Sequence, residues 1–96
     1  MNINFEWDET KAFANLRKHH VSFEIAARVF LDPLALSYQD RIENGEHRWQ
    51  TLGMVDGCLL LLVAHTVRHD ENAEVIRIVS ARKADSKERK HYEENR

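Results

Sequence analysis

The sequence predicts an α+β domain with two N-terminal helices, an antiparallel sheet of about four strands, and a C-terminal helix. Three observations predict it. Apolar residues recur at helical spacing between Glu9 and Leu31, the period then changes to two from Leu34 to Ser80, and Asp85 with Glu88 marks the start of a last helix. A chain of 96 residues holds one core, so residues 1–96 are read as a single domain.

Ile3-Asn4-Phe5-Glu6-Trp7 alternates apolar and polar side chains and suits a short strand that joins the sheet. Asp8 is an N-cap ahead of a helix from Glu9 to about His20, with Phe13, Leu16 and His20 forming its expected inward stripe. Ser22 caps a second helix over roughly 22–31, whose Ile25, Ala26, Val29 and Phe30 face the core and which Asp32-Pro33 stops. Four period-two segments follow: Leu34 to Tyr38, His47 to Val55, Cys58 to His65 and Val75 to Ser80. Asp56-Gly57 is a strong hairpin signal, while residues 40–46 and 69–74 read as polar loops. On the last strand Arg77 and Arg82 fall on opposite faces unless the strand breaks or bulges near Ala81. The final helix, opened by a capping-box pattern at Asp85 and Glu88, runs toward Glu94.

Composition narrows the function classes. With 14 Lys and Arg against 16 Asp and Glu, the net charge of −2 argues against a general polyanion binder. The charge is uneven, however: Arg77, Arg82, Lys83, Lys87, Arg89 and Lys90 lie within fourteen residues and form a local basic region that attracts phosphate. A lone cysteine, Cys58, forms no internal disulfide, and the longest apolar run, Cys58 to Ala64, is far below the roughly 20 residues of a membrane span. No basic leader precedes an apolar segment, so a cytoplasmic location is expected. Six histidines occur without a zinc spacing, no Gly-rich loop is present to cradle a nucleotide, and no basic motif adjoins Cys58; no metal or other cofactor is expected.

Two separated motifs carry a family resemblance. Phe5-Glu6-Trp7-Asp8-Glu9-x-Lys11-x3-Asn15-x2-Lys18-His19, followed by Val21-Ser22-Phe23-Glu24 and Val29-Phe30-x-Asp32-Pro33, resembles the opening of the BrnT toxin family. Ile76 to Ala84 with Glu88, Arg89, Tyr92 and Glu93 resembles its closing signature, and His20 stands where a glycine is expected. The resemblance implies a RelE-like fold and a ribonuclease that blocks translation. It also implies neutralisation by a BrnA-like ribbon-helix-helix antitoxin, through which operator DNA is met only indirectly.

Metal-independent RNA cleavage needs a base for the 2′-hydroxyl, positive charge on the phosphate and an acid for the leaving 5′-oxygen. Arg68, Arg77 and Arg82 supply planar guanidinium groups on or just beyond the last two strands. His19 and His65 are the proton-transfer candidates, Lys18 and Lys83 add charge, and Tyr92 on the final helix can stack on a base or donate a proton. Each has a structural alternative: His65 as a satisfied partly buried ring, His19 as a helix-end cation, and the arginines as partners of Glu24, Asp32 or Asp40. A different class of function uses the same surface without turnover, as a corepressor module bound to a DNA-binding partner. In either case an acidic and apolar antitoxin segment is expected across the exposed sheet face and the final helix.

Overall fold

The computed structural model describes residues 2–95. Among them the order is β1 (Asn2–Glu6), α1 (Glu9–His19), α2 (Phe23–Ala27), a 3-10 turn (Arg28–Leu31), β2 (Leu36–Glu43), β3 (Glu46–Val55), β4 (Leu59–Asp70), β5 (Ala73–Lys83) and α3 (Ser86–Glu94). The helices begin where the caps predict: Asp8 accepts from Thr10 N and Lys11 N, Ser22 from Ile25 N, and Asp85 and Glu88 form a reciprocal capping box. The second helix is shorter than expected. It tightens into the 3-10 turn before Asp32, which precedes Pro33 and takes an extended conformation.

The sheet has five strands in the order β1-β5-β4-β3-β2, not about four, and it is mixed rather than wholly antiparallel. β2 to β5 form the expected meander, while β1 pairs in parallel with β5, setting Glu6 opposite Arg77. Alternation identifies Ile3 to Trp7 as a strand but carries no information on its partner, about 70 residues away in the chain. The two expected polar loops are tight turns instead. Asn44-Gly45 and Glu71-Asn72 are two-residue connections, with Asn44, Gly45 and Glu71 in the left-handed region, so strands extend through polar residues on both sides.

Helices α1 and α2 cover one face of the sheet, with Val21, Phe23, Ala26, Val29, Val55, Leu61, Val63, Ile76, Ile78 and Ala81 as the core. The 3-10 turn approaches β3 closely at Gly53, where an added Cβ would lie 2.7 Å from Val29 Cγ1 and 3.1 Å from the Val29 carbonyl oxygen. The opposite face holds a smaller cluster of Leu52, Leu60, Leu62 and Tyr92 under α3. That short helix leaves the rest of this second face without a covering element, although Thr66 and Val75 on it are buried.

α1 packs differently from the expected pattern. Phe13 and Leu16 are 64% and 47% exposed, and the inward residue is Asn15. Its side-chain oxygen accepts from Ala81 N, while its nitrogen donates to the carbonyls of Ala81 and Val21. β1 covers the edge of β5 only as far as Arg77, and the Asn15 amide serves as a substitute strand partner beyond it. Polar satisfaction of a sheet edge, rather than apolar burial, sets the rotation of this helix.

Candidate functional site

Strand register decides which charged side chains meet. Between β4 and β5 the pairing passes from Ala64 opposite Ser80 to His65 opposite Ile78, so Val79 is an extra, unpaired residue. This β-bulge reverses the alternation along β5. Arg82, opposite Leu62, and Arg77, opposite Thr66, therefore project from the same face, the one not covered by α1 and α2. The break lies two residues before Ala81. Arg68, two residues beyond Thr66 on β4, projects from that face as well, and so does Glu6 on β1.

The three arginines are held by carboxylates. Arg68 donates to both oxygens of Glu6, at 2.7 and 3.0 Å, and Arg77 donates to the Glu6 Oε2 at 3.1 Å. One carboxylate oxygen thus serves two guanidinium groups on different strands. These hydrogen bonds, Arg68 first, hold the Glu6 carboxyl down to about 2, so it is ionised at any physiological pH. Arg82 makes a two-point pair with Glu88 at 2.8 Å for each bond, and Glu88 also accepts from Asp85 N in the capping box. Its carboxyl is likewise lowered, chiefly by Arg82. Asp32 meanwhile accepts from Met54 N and from the Tyr92 hydroxyl. The guanidinium groups remain accessible, with side chains 53%, 41% and 40% exposed for Arg68, Arg77 and Arg82.

The remaining candidates separate. Lys18 and His19, with Lys11, line a shallow depression between α1 and the bulge at Val79 and Ser80. Lys83 is exposed at the end of β5. Tyr92 is 4% exposed, packed on Leu52, Leu60 and Leu62, and its hydroxyl donates to Asp32 Oδ2 at 2.6 Å; no ring face is open to a base. Tyr38 on β2, not Tyr92, is the accessible tyrosine on the arginine face. It projects from the arginine face opposite Gln50, half exposed and within the electrostatic reach of Arg82 and Glu88; burial foremost, and then Glu88, raise its hydroxyl pKa. The alternation of Leu36 and Tyr38 was the signal that could have found it.

His65 lies on the helix-covered face. It is 3% exposed, its ring meets Phe30 edge-on with centroids 4.9 Å apart, and its Nε2 is 2.8 Å from Thr51 Oγ1, itself 2.8 Å from Ser37 Oγ. Burial pushes the ring down to about 4, so it is neutral near pH 7. With Phe30, Trp49, His47 and His69 it lines a cleft of about 570 Å³ on the side of the sheet away from the three arginines. Among the described residues no three His, Cys, Asp or Glu side chains are grouped to hold a metal ion, and no helix is long and apolar enough to cross a membrane.

A family model described as the ribonuclease toxin BrnT of type II toxin-antitoxin systems matches residues 7–88. The fold is similar to the crystal structure of the Brucella abortus ribonuclease toxin BrnT, with a TM-score of 0.65 and 19% sequence identity over 90% of this chain and 100% of that one. No curated protein matches the sequence.

Proposed function

This chain belongs to the BrnT family of ribonuclease toxins of type II toxin-antitoxin systems, and from that premise we propose that it cleaves RNA on the exposed sheet face without a metal ion and so blocks translation. The observation that carries the reading is the convergence of Arg68, Arg77 and Arg82 on one face, which the bulge at Val79 brings about. Arg68 and Arg77 hold the oxygens of the scissile phosphate and offset the negative charge that grows on it as the 2′-hydroxyl attacks. Arg82 binds a neighbouring phosphate, and Tyr38 offers its ring to a base. Lys18, beside the bulge at the edge of β5, adds positive charge near the site, while Lys83, opposite Leu61, projects from the other face of the strand end.

Proton transfer falls to His19 rather than His65. His19, at the end of α1, is partly exposed and lines the depression at the bulge on the edge of β5, whereas His65 is buried with its Nε2 engaged by Thr51. Geometry comes before pKa in choosing a general base. The antitoxin that the family implies is a ribbon-helix-helix protein that covers the arginine face and links the complex to operator DNA.

The test is cleavage of an RNA oligonucleotide by the purified toxin, freed from antitoxin, in EDTA. Arg68→Ala, Arg77→Ala and Arg82→Ala are expected to fold, since exposed ion pairs contribute little to stability, yet lose roughly 10²–10³ in rate and relieve growth arrest. Intact RNA with the wild-type protein, or three folded variants that cut normally, overturns the reading. Activity lost in EDTA and restored by magnesium or zinc overturns its metal independence.

A further inference from the structure

Glu6 has no place in the chemistry above, yet it touches both arginines assigned to the phosphate. Its Oε2 lies 2.7 Å from an Arg68 nitrogen and 3.1 Å from an Arg77 nitrogen. A phosphate oxygen set in that position would meet the same two donors, because a carboxylate and a phosphate present the same pair of oxygens to a guanidinium. A role in stability alone accounts poorly for this arrangement. All three side chains are a third or more exposed, and exposed pairs contribute little to stability. Without a shared anion, two guanidinium groups on adjacent strands repel and swing apart into solvent.

We propose that Glu6 is a positioning residue for the phosphodiester, holding Arg68 and Arg77 at the spacing of a single anion until the RNA phosphate takes its place. This rests on the assignment of the two arginines to the scissile phosphate. The arrangement has two opposed effects. Glu6 competes with the phosphate for the same donors, which weakens substrate binding. It also keeps the guanidinium groups aimed while the site is empty, which favours turnover, since misplacement of a binding group by about 1 Å costs on the order of 10²-fold in rate. The Arg82–Glu88 pair repeats the device with one arginine, but Glu88 is also fixed by the capping box of α3 and is less free to yield.

The experiment measures kcat and KM on a fluorogenic RNA oligonucleotide, and Kd for an uncleavable 2′-deoxy analogue, with Glu6→Gln and Glu6→Asp. Glu6→Gln is expected to lower kcat by about tenfold or more while KM and Kd fall severalfold, because the aim is lost together with the competitor. Glu6→Asp retains the charge on a shorter stem and is expected to restore part of kcat and the wild-type KM. Thermal melting accompanies each variant. Wild-type kcat in Glu6→Gln overturns the proposal, as does a joint loss of kcat and affinity that follows a drop in melting temperature. A tighter KM with unchanged or faster kcat would make Glu6 a competitor only and also overturn positioning. If Arg68→Ala and Arg77→Ala cut RNA normally, the assignment of the arginines fails first; if they are inactive and Glu6→Gln is not, only the role of Glu6 fails.

Discussion

Two histidines carry the sharpest single-residue consequences. His65 is neutral in the folded protein, with its pKa held down to about 4 by burial, against an ordinary value of 6.5. Between those values the unfolded chain binds a proton that the native ring does not, so stability falls as pH drops from 6.5 to 4, by up to about 3 kcal/mol. His65→Gln should flatten that slope. Denaturant unfolding at pH 7.5, 5.5 and 4.0 measures it, and a slope equal to that of the wild type would place the titrating group elsewhere. His20 is the other case. It follows α1 with φ 61° and ψ 28°, a left-handed position where a side chain costs about 1 kcal/mol and glycine is favoured. The sequence motif led to a glycine being expected here, and the backbone gives the reason. His20→Gly is expected to raise stability by about 0.5–1 kcal/mol, seen as a melting temperature several degrees higher; an unchanged or lower value would show that the His20 side chain makes a compensating contact.

At the scale of elements, the features legible in the sequence were those set by local chemistry. Asp8, Ser22, Asp85 with Glu88, and Asp56-Gly57 each fix backbone geometry within three or four residues, and all stand where expected. What the sequence concealed depends on pairing over long separations. The parallel partner of β1, the exact place of the extra residue at Val79, which puts Arg77 and Arg82 on one face, and the link from Asn15 to Ala81 do not follow from local periodicity. The arginines were therefore found by residue type, while their carboxylate partners Glu6 and Glu88 were missed. Gly53 shows the same dependence on packing. A methyl group there would collide with Val29 of the 3-10 turn, 2.7 Å away, and press on Ala35 at 3.3 Å. Gly53→Ala should lift the turn off β3 and cost about 1–3 kcal/mol by overpacking. A melting temperature within a degree of wild type would mean that the turn shifts freely.

At the scale of the whole molecule, three accessible arginines share one sheet face, and this argues for one shared surface for RNA and antitoxin in the proposed function. The net charge of −2 gives no general attraction to polyanions, so the proposed RNA binding rests on the local field of Arg68, Arg77 and Arg82 on the exposed face. Arg17 and Arg28 stand apart from it. Arg17 lies over the Phe13 ring on α1, 5.9 Å from its centroid, and Arg28 pairs with Asp56 at the turn between β3 and β4. An inhibitor that blocks RNA by occupying the arginine face must present negative charge there, and its affinity must fall as ionic strength rises, because the Debye length shortens from about 10 Å at 0.1 M to about 3 Å at 1 M salt. Reversing Arg82 and Lys83 to glutamate is expected to weaken RNA cleavage and antitoxin binding together, whereas Arg17→Glu and Arg28→Glu leave both nearly unchanged. Calorimetry at two salt concentrations, with each variant first shown to melt as the wild type does, reads the antitoxin arm. An affinity indifferent to salt and to the Arg82 and Lys83 reversal would move the antitoxin off this face, and inhibition would then have to act through the fold rather than by covering the site.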